Sequence, residues 1–190
     1  MAKADLICWI DADDHVPPTY LESLLTRQRE VNADIVCSRM VAFNDDSDCL
    51  YMIPNSISFD YSSQLPGKKA VMLTVGESWG LNINGFLVRR TIWKNTSIFL
   101  DINELHTHAD DYSSREMLLM AERVAFVDVT YYYRVHGSSI THNATSKVYE
   151  ILKADWMTIR LFKKYFENSR QCRQLIKPNK NTYEMSKGKK

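Results

Sequence analysis

The sequence predicts one α/β domain, because short strand-like apolar runs alternate with amphipathic helical segments along the chain. Hydrophobic residues make up 45% of the 190 residues, which is enough for one sizeable core. Beyond residue 168 the chain is rich in lysine and asparagine and loses the apolar pattern. We therefore expect a folded domain over residues 1–168 and a flexible, polar, basic tail over residues 169–190.

Charge and cysteine content narrow the class of protein. The 24 basic and 23 acidic side chains leave a net charge of +1, without the basic surplus typical of nucleic-acid binders, so no nucleic-acid partner is expected. The four cysteines are scattered and form no CxxC pair, which favours reduced thiols in a cytoplasmic setting. No apolar run approaches the length of a membrane span.

The first part of the chain predicts a strand, a helix and a second strand. Residues 6–10 form an apolar run that indicates a buried strand. A helix is expected over residues 19–32, because Thr19 and Glu22 have the spacing of a capping box. Four apolar side chains share one face of this helix: Leu21, Leu24, Leu25 and Val31. Residues 35–43 indicate the next strand.

The remaining elements follow from the same kinds of pattern. Strands are expected at residues 50–53, 57–61, 83–90, 123–129 and 130–136. Helices are expected at residues 68–75, 111–122 and 148–166. The last helix is long and amphipathic, and Trp156 lies on its apolar face as a predicted core residue.

An acidic cluster follows the first predicted strand. Asp11, Asp13 and Asp14 lie within four residues at the end of that apolar run. In open α/β sheets ligands bind at the carboxyl ends of strands, and two nearby carboxylates suit a hard divalent cation that can neutralise a diphosphate. A solvated acidic turn is the alternative, but a surface turn does not require a buried strand before it.

Other motifs offer competing interpretations of the same residues. A calcium loop fails at Val16, where the EF-hand pattern requires glycine. An aspartyl phosphatase of the haloacid dehalogenase type, with Asp11 as nucleophile, remains an alternative. The segment "HTHADD" is similar to the zinc signature of metallo-β-lactamase-type hydrolases, with His106, His108 and Asp110 as ligands. Asp111 stands where that signature has histidine.

The order of motifs resembles the family 2 glycosyltransferases, which have a GT-A fold. The matching segments are "WIDADDHVPPTYLESLL", "ADIVCSRM", "FLVRRTIW", an acidic pair that opens a helix, and "YYYRVHGSSIT". The resemblance covers about residues 5–141 and implies a mixed Rossmann-like sheet flanked by helices. It implies transfer of a sugar from a nucleotide-diphosphate sugar to an acceptor hydroxyl, with inversion and with Mg²⁺ or Mn²⁺.

The resemblance also implies roles for residues on the donor side. Asp11 and Asp13 would contact the ribose, the diphosphate and the metal, and Asp14 would support them. Arg134 and His136 match a segment that closes over the diphosphate, and His136 is a candidate metal ligand. The expected donor is a UDP-sugar.

On the acceptor side, Asp111 matches the aspartate that acts as general base. Asp110 stands where the family has glutamate, and it is grouped with Trp79 and Asn84 as candidate contacts to the acceptor. The expected acceptor is a sugar or a lipid-linked sugar, which implies polysaccharide biosynthesis in the cytoplasm or peripherally at the inner face of the membrane.

Family members carry a nucleotide-binding half before the acidic strand, whereas this sequence begins at that strand. We therefore expect a partial GT-A domain that corresponds to the C-terminal part of a longer enzyme. An incomplete sheet would expose a strand edge and promote self-association, and the chain alone would have little activity. A non-catalytic fragment is the corresponding alternative.

Overall fold

The computed structural model describes residues 3–44, 49–51, 60–74, 81–96, 109–135 and 148–166. The strands are β1 (Leu6–Cys8), β2 (Ile35–Asn44), β3 (Cys49–Tyr51), β4 (Gln64–Leu65), β5 (Phe86–Arg89) and β6 (Val124–Arg134). The helices are α1 (Tyr20–Val31), α2 (Gly67–Met72), α3 (Arg90–Asn95), α4 (Ala109–Met120) and α5 (Val148–Tyr165), and a 3₁₀ turn spans Ile83–Gly85. Of these helices, none is both long and apolar enough to cross a membrane.

The strands form one mixed sheet, which confirms the predicted α/β class. Its order is β1-β5-β2-β6-β4, and β3 pairs with β2 beside this path. The pair β2 and β6 is parallel, and β5 is antiparallel to both β1 and β2. Strands β1, β2 and β6 therefore end at the same edge of the sheet, and β5 begins there.

Hydrophobic layers cover both faces of the sheet. Alternate residues of β2 point to opposite sides, so that Ile35 and Cys37 join one core cluster and Val36 joins the other. Helices α2 to α5 pack on the first side, and α1 packs on the second through Tyr20 and Leu24. Burial on both faces explains why the β2 sequence is almost continuously apolar.

The first strand is shorter and less buried than its sequence predicts. It contains three residues, each of them partly buried, and it lies at the end of the sheet. Trp9 and Ile10, which were predicted to belong to it, are 46% and 40% exposed. β1 pairs with β5, and no other strand among the described residues covers its second flank. Self-association through this edge remains a prediction.

The start of α1 also differs from the prediction. Thr19 precedes the helix but makes no side-chain capping hydrogen bond, so the capping box is wrong. Ser23 Oγ instead donates to the Thr19 carbonyl oxygen at 2.9 Å. Leu21 was expected on the packed face but is 47% exposed, because the face that packs on the sheet carries Tyr20 and Leu24.

Two strand boundaries were wrong. The predicted strand over residues 83–90 is a 3₁₀ turn followed by β5, and α3 begins directly at Arg90. The two strands predicted around Asp128 are one strand, β6. Its pairing with β2 shifts register between Cys37 and Arg39, and this bulge places Asp128 at the surface, where it forms an ion pair with Arg39 at 2.7 Å.

Helix α5 confirms the predicted long helix, but not its predicted buried face. Leu161, Phe162 and the following Phe166 are buried against α4 and α2, whereas Trp156 is 54% exposed and stacks with Arg160 at 4.6 Å. The expectation that Trp156 is a core residue was therefore wrong. Residues 52–59, which hold most of two predicted short strands, and the predicted tail from residue 169 lie outside the described residues.

Gly67 allows α2 to approach α4 closely. A Cβ atom at this position would collide with the carbonyl oxygens of Leu118 and Ala121, and the Gly67 amide donates to the latter oxygen at 3.2 Å. We expect Gly67→Ala to destabilise the protein by about 3 kcal/mol, because backbone atoms cannot move aside as a side chain can. Gly85→Ala is the control, since its Cβ would lie 3.1 Å from the Ser38 hydroxyl and should cost less. Urea denaturation measures the stability of both variants. Equal denaturation midpoints for Gly67→Ala and Gly85→Ala would contradict the predicted difference.

Candidate active site

The acidic turn runs from the end of β1 along the edge of the sheet to the end of β6. It starts as a tight turn in which the Asp14 amide donates to the Asp11 carbonyl oxygen at 3.2 Å. It then joins β6 through a two-bond bridge between His15 and Tyr132, with N–O distances of 3.0 and 2.9 Å. The turn therefore crosses the carboxyl ends of the strands, where α/β proteins bind ligands.

Asp11 is held by three contacts. Trp9 Nε1 donates to Asp11 Oδ1 at 2.7 Å, and Asn84 Nδ2 donates to Asp11 Oδ2 at 2.7 Å. The Asp11 backbone amide donates to the hydroxyl of Tyr131 at 3.1 Å. Trp9 also stacks on Trp93 at a centroid distance of 5.8 Å. The Asp11 carboxylate is thus oriented by Trp9, just after β1, and by Asn84 of the 3₁₀ turn, while Tyr131 of β6 holds the Asp11 backbone.

Asp14 is anchored on β6. The hydroxyl of Tyr131 donates to Asp14 Oδ2 at 2.5 Å, and the Arg134 amide donates to Asp14 Oδ1 at 2.8 Å. Burial raises the pKa of Asp14, while these two hydrogen bonds act in the opposite direction. Burial and the neighbouring Asp14 carboxylate raise the pKa of Tyr131, so its hydroxyl stays protonated and serves as the donor.

Asp13 differs from its two neighbours because its side chain is exposed at the mouth of the turn. No group of three or more His, Cys, Asp or Glu side chains within the described residues could hold a metal ion by itself. Mg²⁺, however, binds through one or two carboxylates and completes its shell with water and phosphate oxygens. The exposed Asp13 and the oriented Asp11 supply such a partial set of oxygen ligands, so the residues present fit a phosphate-bound divalent cation.

Arg134 places a positive charge beside the acidic turn. Its Nη2 lies 2.9 Å from His15 Nε2, and its guanidinium lies 5.7 Å from the ring centroid of Phe43. A guanidinium in this position suits a phosphate group through its planar array of donors. His136, the other predicted residue of this segment, lies outside the described residues.

The second acidic pair, Asp110 and Asp111, lies in the first turn of α4, where the helix dipole favours negative charge. Asn82 Nδ2 donates to Asp110 Oδ2 at 2.9 Å. Desolvation and the charge of Asp111 raise the pKa of Asp110, and the hydrogen bond from Asn82 opposes this. Asp111 is partly exposed, and its Oδ1 lies 3.9 Å from Nη1 of Arg115, one helical turn further along.

The structure connects the two acidic motifs, which are distant in sequence. Asn84 contacts Asp11 in the acidic turn, and Asn82 contacts Asp110 in the second acidic pair. The two residues on either side of Ile83 therefore each contact one of the two motifs. Among the predicted site residues, the three aspartates of the turn, Arg134, Asn84 and the Asp110–Asp111 pair are therefore brought to a common region. Trp79 lies outside the described residues, as do His106 and His108 of the zinc alternative.

Sequence patterns did not identify several residues that shape this site. Tyr131 was interpreted as strand packing, Asn82 was expected to face an acceptor sugar rather than Asp110, and Trp9 was placed in the strand. Their roles depend on hydroxyl, amide and indole groups that meet the aspartates only after folding. No local signal in the sequence showed where the Tyr131 hydroxyl would lie.

The chain is similar to known glycosyltransferases. Residues 1–94 match the model of the family described as glycosyl transferase family 2. EpsH of Bacillus subtilis, which is named as a glycosyltransferase, is 26% identical over 150 residues, and the match covers 78% of this chain and 43% of EpsH. The chain thus spans less than half the length of this relative.

Solved structures show the same fold. The crystal structure of S. aureus TarS 1–349 has a TM-score of 0.63 at 13% identity, over 92% of this chain and 45% of the TarS chain. Its complexes with UDP and with UDP-GlcNAc have TM-scores of 0.60 and 0.52, at 13% and 14% identity. They cover 92% and 89% of this chain, and 46% and 51% of the TarS chains. The match over residues 1–94 and the similarity to EpsH support the assignment of this chain to the family 2 glycosyltransferases, and the TarS structures share its fold.

Proposed function

We propose that this chain transfers a sugar from a nucleotide-diphosphate sugar to an acceptor hydroxyl, with inversion at the anomeric carbon and with Mg²⁺ or Mn²⁺. The observation that carries the proposal is the connection of the acidic turn to the Asp110–Asp111 pair through the segment 82–84. An inverting transfer needs both parts at one site, because one region must stabilise the departing diphosphate while another removes the acceptor proton.

The donor side consists of the acidic turn and Arg134. Asp11 is oriented by Trp9 and Asn84, which suits a fixed contact to the ribose or to the metal. Asp13 is exposed at the mouth of the turn and would hold the divalent cation together with Asp11. When bound, this cation would stabilise the negative charge of the leaving diphosphate. Arg134 adds a permanent positive charge on the same side.

The Asp110–Asp111 pair supplies the proton acceptor for the transfer step. Asp111 accepts the proton of the acceptor hydroxyl as the oxygen of that hydroxyl attacks the anomeric carbon. The bond between this carbon and the diphosphate oxygen breaks, and the diphosphate leaves with the bonding electrons. Asp110 lies next to Asp111 and accepts a hydrogen bond from Asn82, and it orients Asp111.

The choice of donor rests on the structural neighbours. TarS has been crystallised with UDP and with UDP-GlcNAc, and its fold matches this chain. We infer that a UDP-sugar is the donor here. A sugar or lipid-linked sugar is the proposed acceptor, with Trp79 as a proposed contact, and the place of action is the cytoplasm or the inner face of the membrane.

UDP release tests the proposed function. The full-length protein is incubated with Mn²⁺ and UDP-GlcNAc, and then with other UDP-sugars, in the presence of sugar acceptors, and UDP is quantified with a coupled assay. Metal-dependent UDP release that requires an acceptor is the expected result. Release that persists unchanged in EDTA would contradict the metal dependence, and a product with retained anomeric configuration would contradict the inverting mechanism.

Tyr131→Phe should weaken donor binding while preserving the fold. The phenylalanine ring keeps the packing of a fully buried side chain but removes the hydroxyl that contacts Asp11 and Asp14. We expect about a tenfold loss of affinity for Mn²⁺–UDP-GlcNAc, the scale of one hydrogen bond to a charged group. Isothermal titration calorimetry measures this loss.

Tyr20→Phe is the matched control for this substitution. Tyr20 packs edge-on against Tyr131 in the same core, and its hydroxyl forms a hydrogen bond with Ser38. Its donor affinity should equal that of the wild-type protein. Equal losses in both variants would show that Tyr131 acts through general packing.

A further inference from the structure

The segment 82–84 lies between the two acidic motifs and contacts both. Asn84 Nδ2 donates to Asp11 Oδ2 at 2.7 Å, and Asn82 Nδ2 donates to Asp110 Oδ2 at 2.9 Å. Both contacts are made by asparagine amides, which donate to a carboxylate but carry no charge and do not titrate. Each amide therefore orients its carboxylate without neutralising it.

The segment is itself firmly held. The Ile83 amide donates to Ser114 Oγ at 2.8 Å, and Ser114 Oγ donates to the Asp110 carbonyl oxygen at 2.6 Å. Ser114, Ile83 and Asn84 are all buried, and β5 follows the turn directly. The segment is thus tied to α4 at Ile83 and continues through Gly85 into β5 of the central sheet.

We propose that the segment 82–84 sets the relative position of the two acidic motifs, with Asn84 as the positioning residue for Asp11 and Asn82 as the positioning residue for Asp110. This inference rests on the proposed glycosyl transfer and deepens it. It assigns the Asn84 amide to Asp11, in place of the contact to the acceptor that the sequence suggested.

The two asparagines should affect different steps. Asn84 acts through Asp11 on the donor side, so its loss should weaken donor binding. Asn82 acts through Asp110 beside the general base, so its loss should slow the transfer and leave donor binding intact. A residue that only stabilises the fold would not separate these parameters.

Steady-state kinetics with Mn²⁺ and UDP-GlcNAc test the separation. Asn84→Ala should raise the KM for the donor by about tenfold with little change in kcat. Asn82→Ala should lower kcat by about tenfold with little change in KM. Each change is on the scale of one hydrogen bond to a charged group. Asn95→Ala is the control, since Asn95 is exposed at the end of α3 and should leave both parameters unchanged. Asn84→Ser, which keeps a hydroxyl donor, should restore part of the affinity if the donated hydrogen bond is responsible.

NMR of the side-chain amides tests the contacts without any ligand. Asp110→Asn should shift the Asn82 amide resonances more than those of Asn84, and Asp11→Asn should do the reverse. If the wild-type protein releases UDP but both asparagine variants change the same parameter, this inference is overturned and the proposed function stands. A wild-type protein without metal-dependent UDP release overturns the proposed function, and the positioning role falls with it.

Discussion

Asp111→Asn is expected to lower turnover by on the order of 100-fold or more, the usual scale for loss of a general base. The substitution keeps the shape of the side chain and its place in the first turn of α4 but removes the carboxylate that accepts the proton. Donor affinity should be nearly unchanged, because the lost interaction is formed only as the acceptor hydroxyl attacks. Turnover by the UDP-release assay and donor affinity by calorimetry give the two values.

Asp110→Asn is the neighbouring control for this prediction. It lies one residue away in the same turn and keeps the capacity to accept the Asn82 hydrogen bond through its amide oxygen. Its effect on turnover should be smaller if Asp110 only orients its neighbour. Near-normal turnover in Asp111→Asn would end the general-base assignment, and a larger loss in Asp110→Asn would transfer that role to Asp110.

Asp13→Ala is expected to weaken binding of Mn²⁺–UDP-GlcNAc by roughly 100-fold, or about 3 kcal/mol, the scale of a metal-mediated contact to a diphosphate. Asp13 carries the exposed carboxylate at the mouth of the acidic turn. Stability should change little, because the side chain is exposed. Calorimetric titration with and without Mn²⁺ measures the effect.

Asp60→Ala is the matched control for Asp13. Asp60 is also an exposed aspartate in a turn, where its carboxylate accepts hydrogen bonds from Ser62. Asp60→Ala should bind Mn²⁺–UDP-GlcNAc with the affinity of the wild-type protein. Binding by Asp13→Ala that equals that of Asp60→Ala would exclude Asp13 as a metal ligand.

Local sequence patterns were sufficient to predict most of the elements and the location of the acidic turn. Helices α1, α4 and α5 and strands β2 and β5 follow from apolar periodicity, because a helix or strand that packs on one core must repeat its apolar residues at the matching spacing. Boundaries were less predictable. The capping box at Thr19 failed and α3 was missed, since each depends on how the flanking chain packs.

The sequence also indicated the family, because the order of the motifs "WIDADDHV", "FLVRR" and "YYYRVH" does not depend on the exact ends of the elements. It could not show that β1 is a short, partly buried strand at the end of the sheet. Burial depends on the strands and helices that flank an element, and the apolar run of residues 6–10 is the same whether one flank is covered or both.

Residue types and their order by themselves determined the α/β class, the two acidic motifs and the resemblance to the family 2 glycosyltransferases. Only the tertiary structure decided how those motifs meet. The contacts of Tyr131 with Asp14, of Asn84 with Asp11 and of Asn82 with Asp110 join residues 28 to 117 positions apart in the chain. Such contacts leave no periodic signal, because they are made by single polar groups whose positions are set by the packing of the sheet, α4 and the 3₁₀ turn.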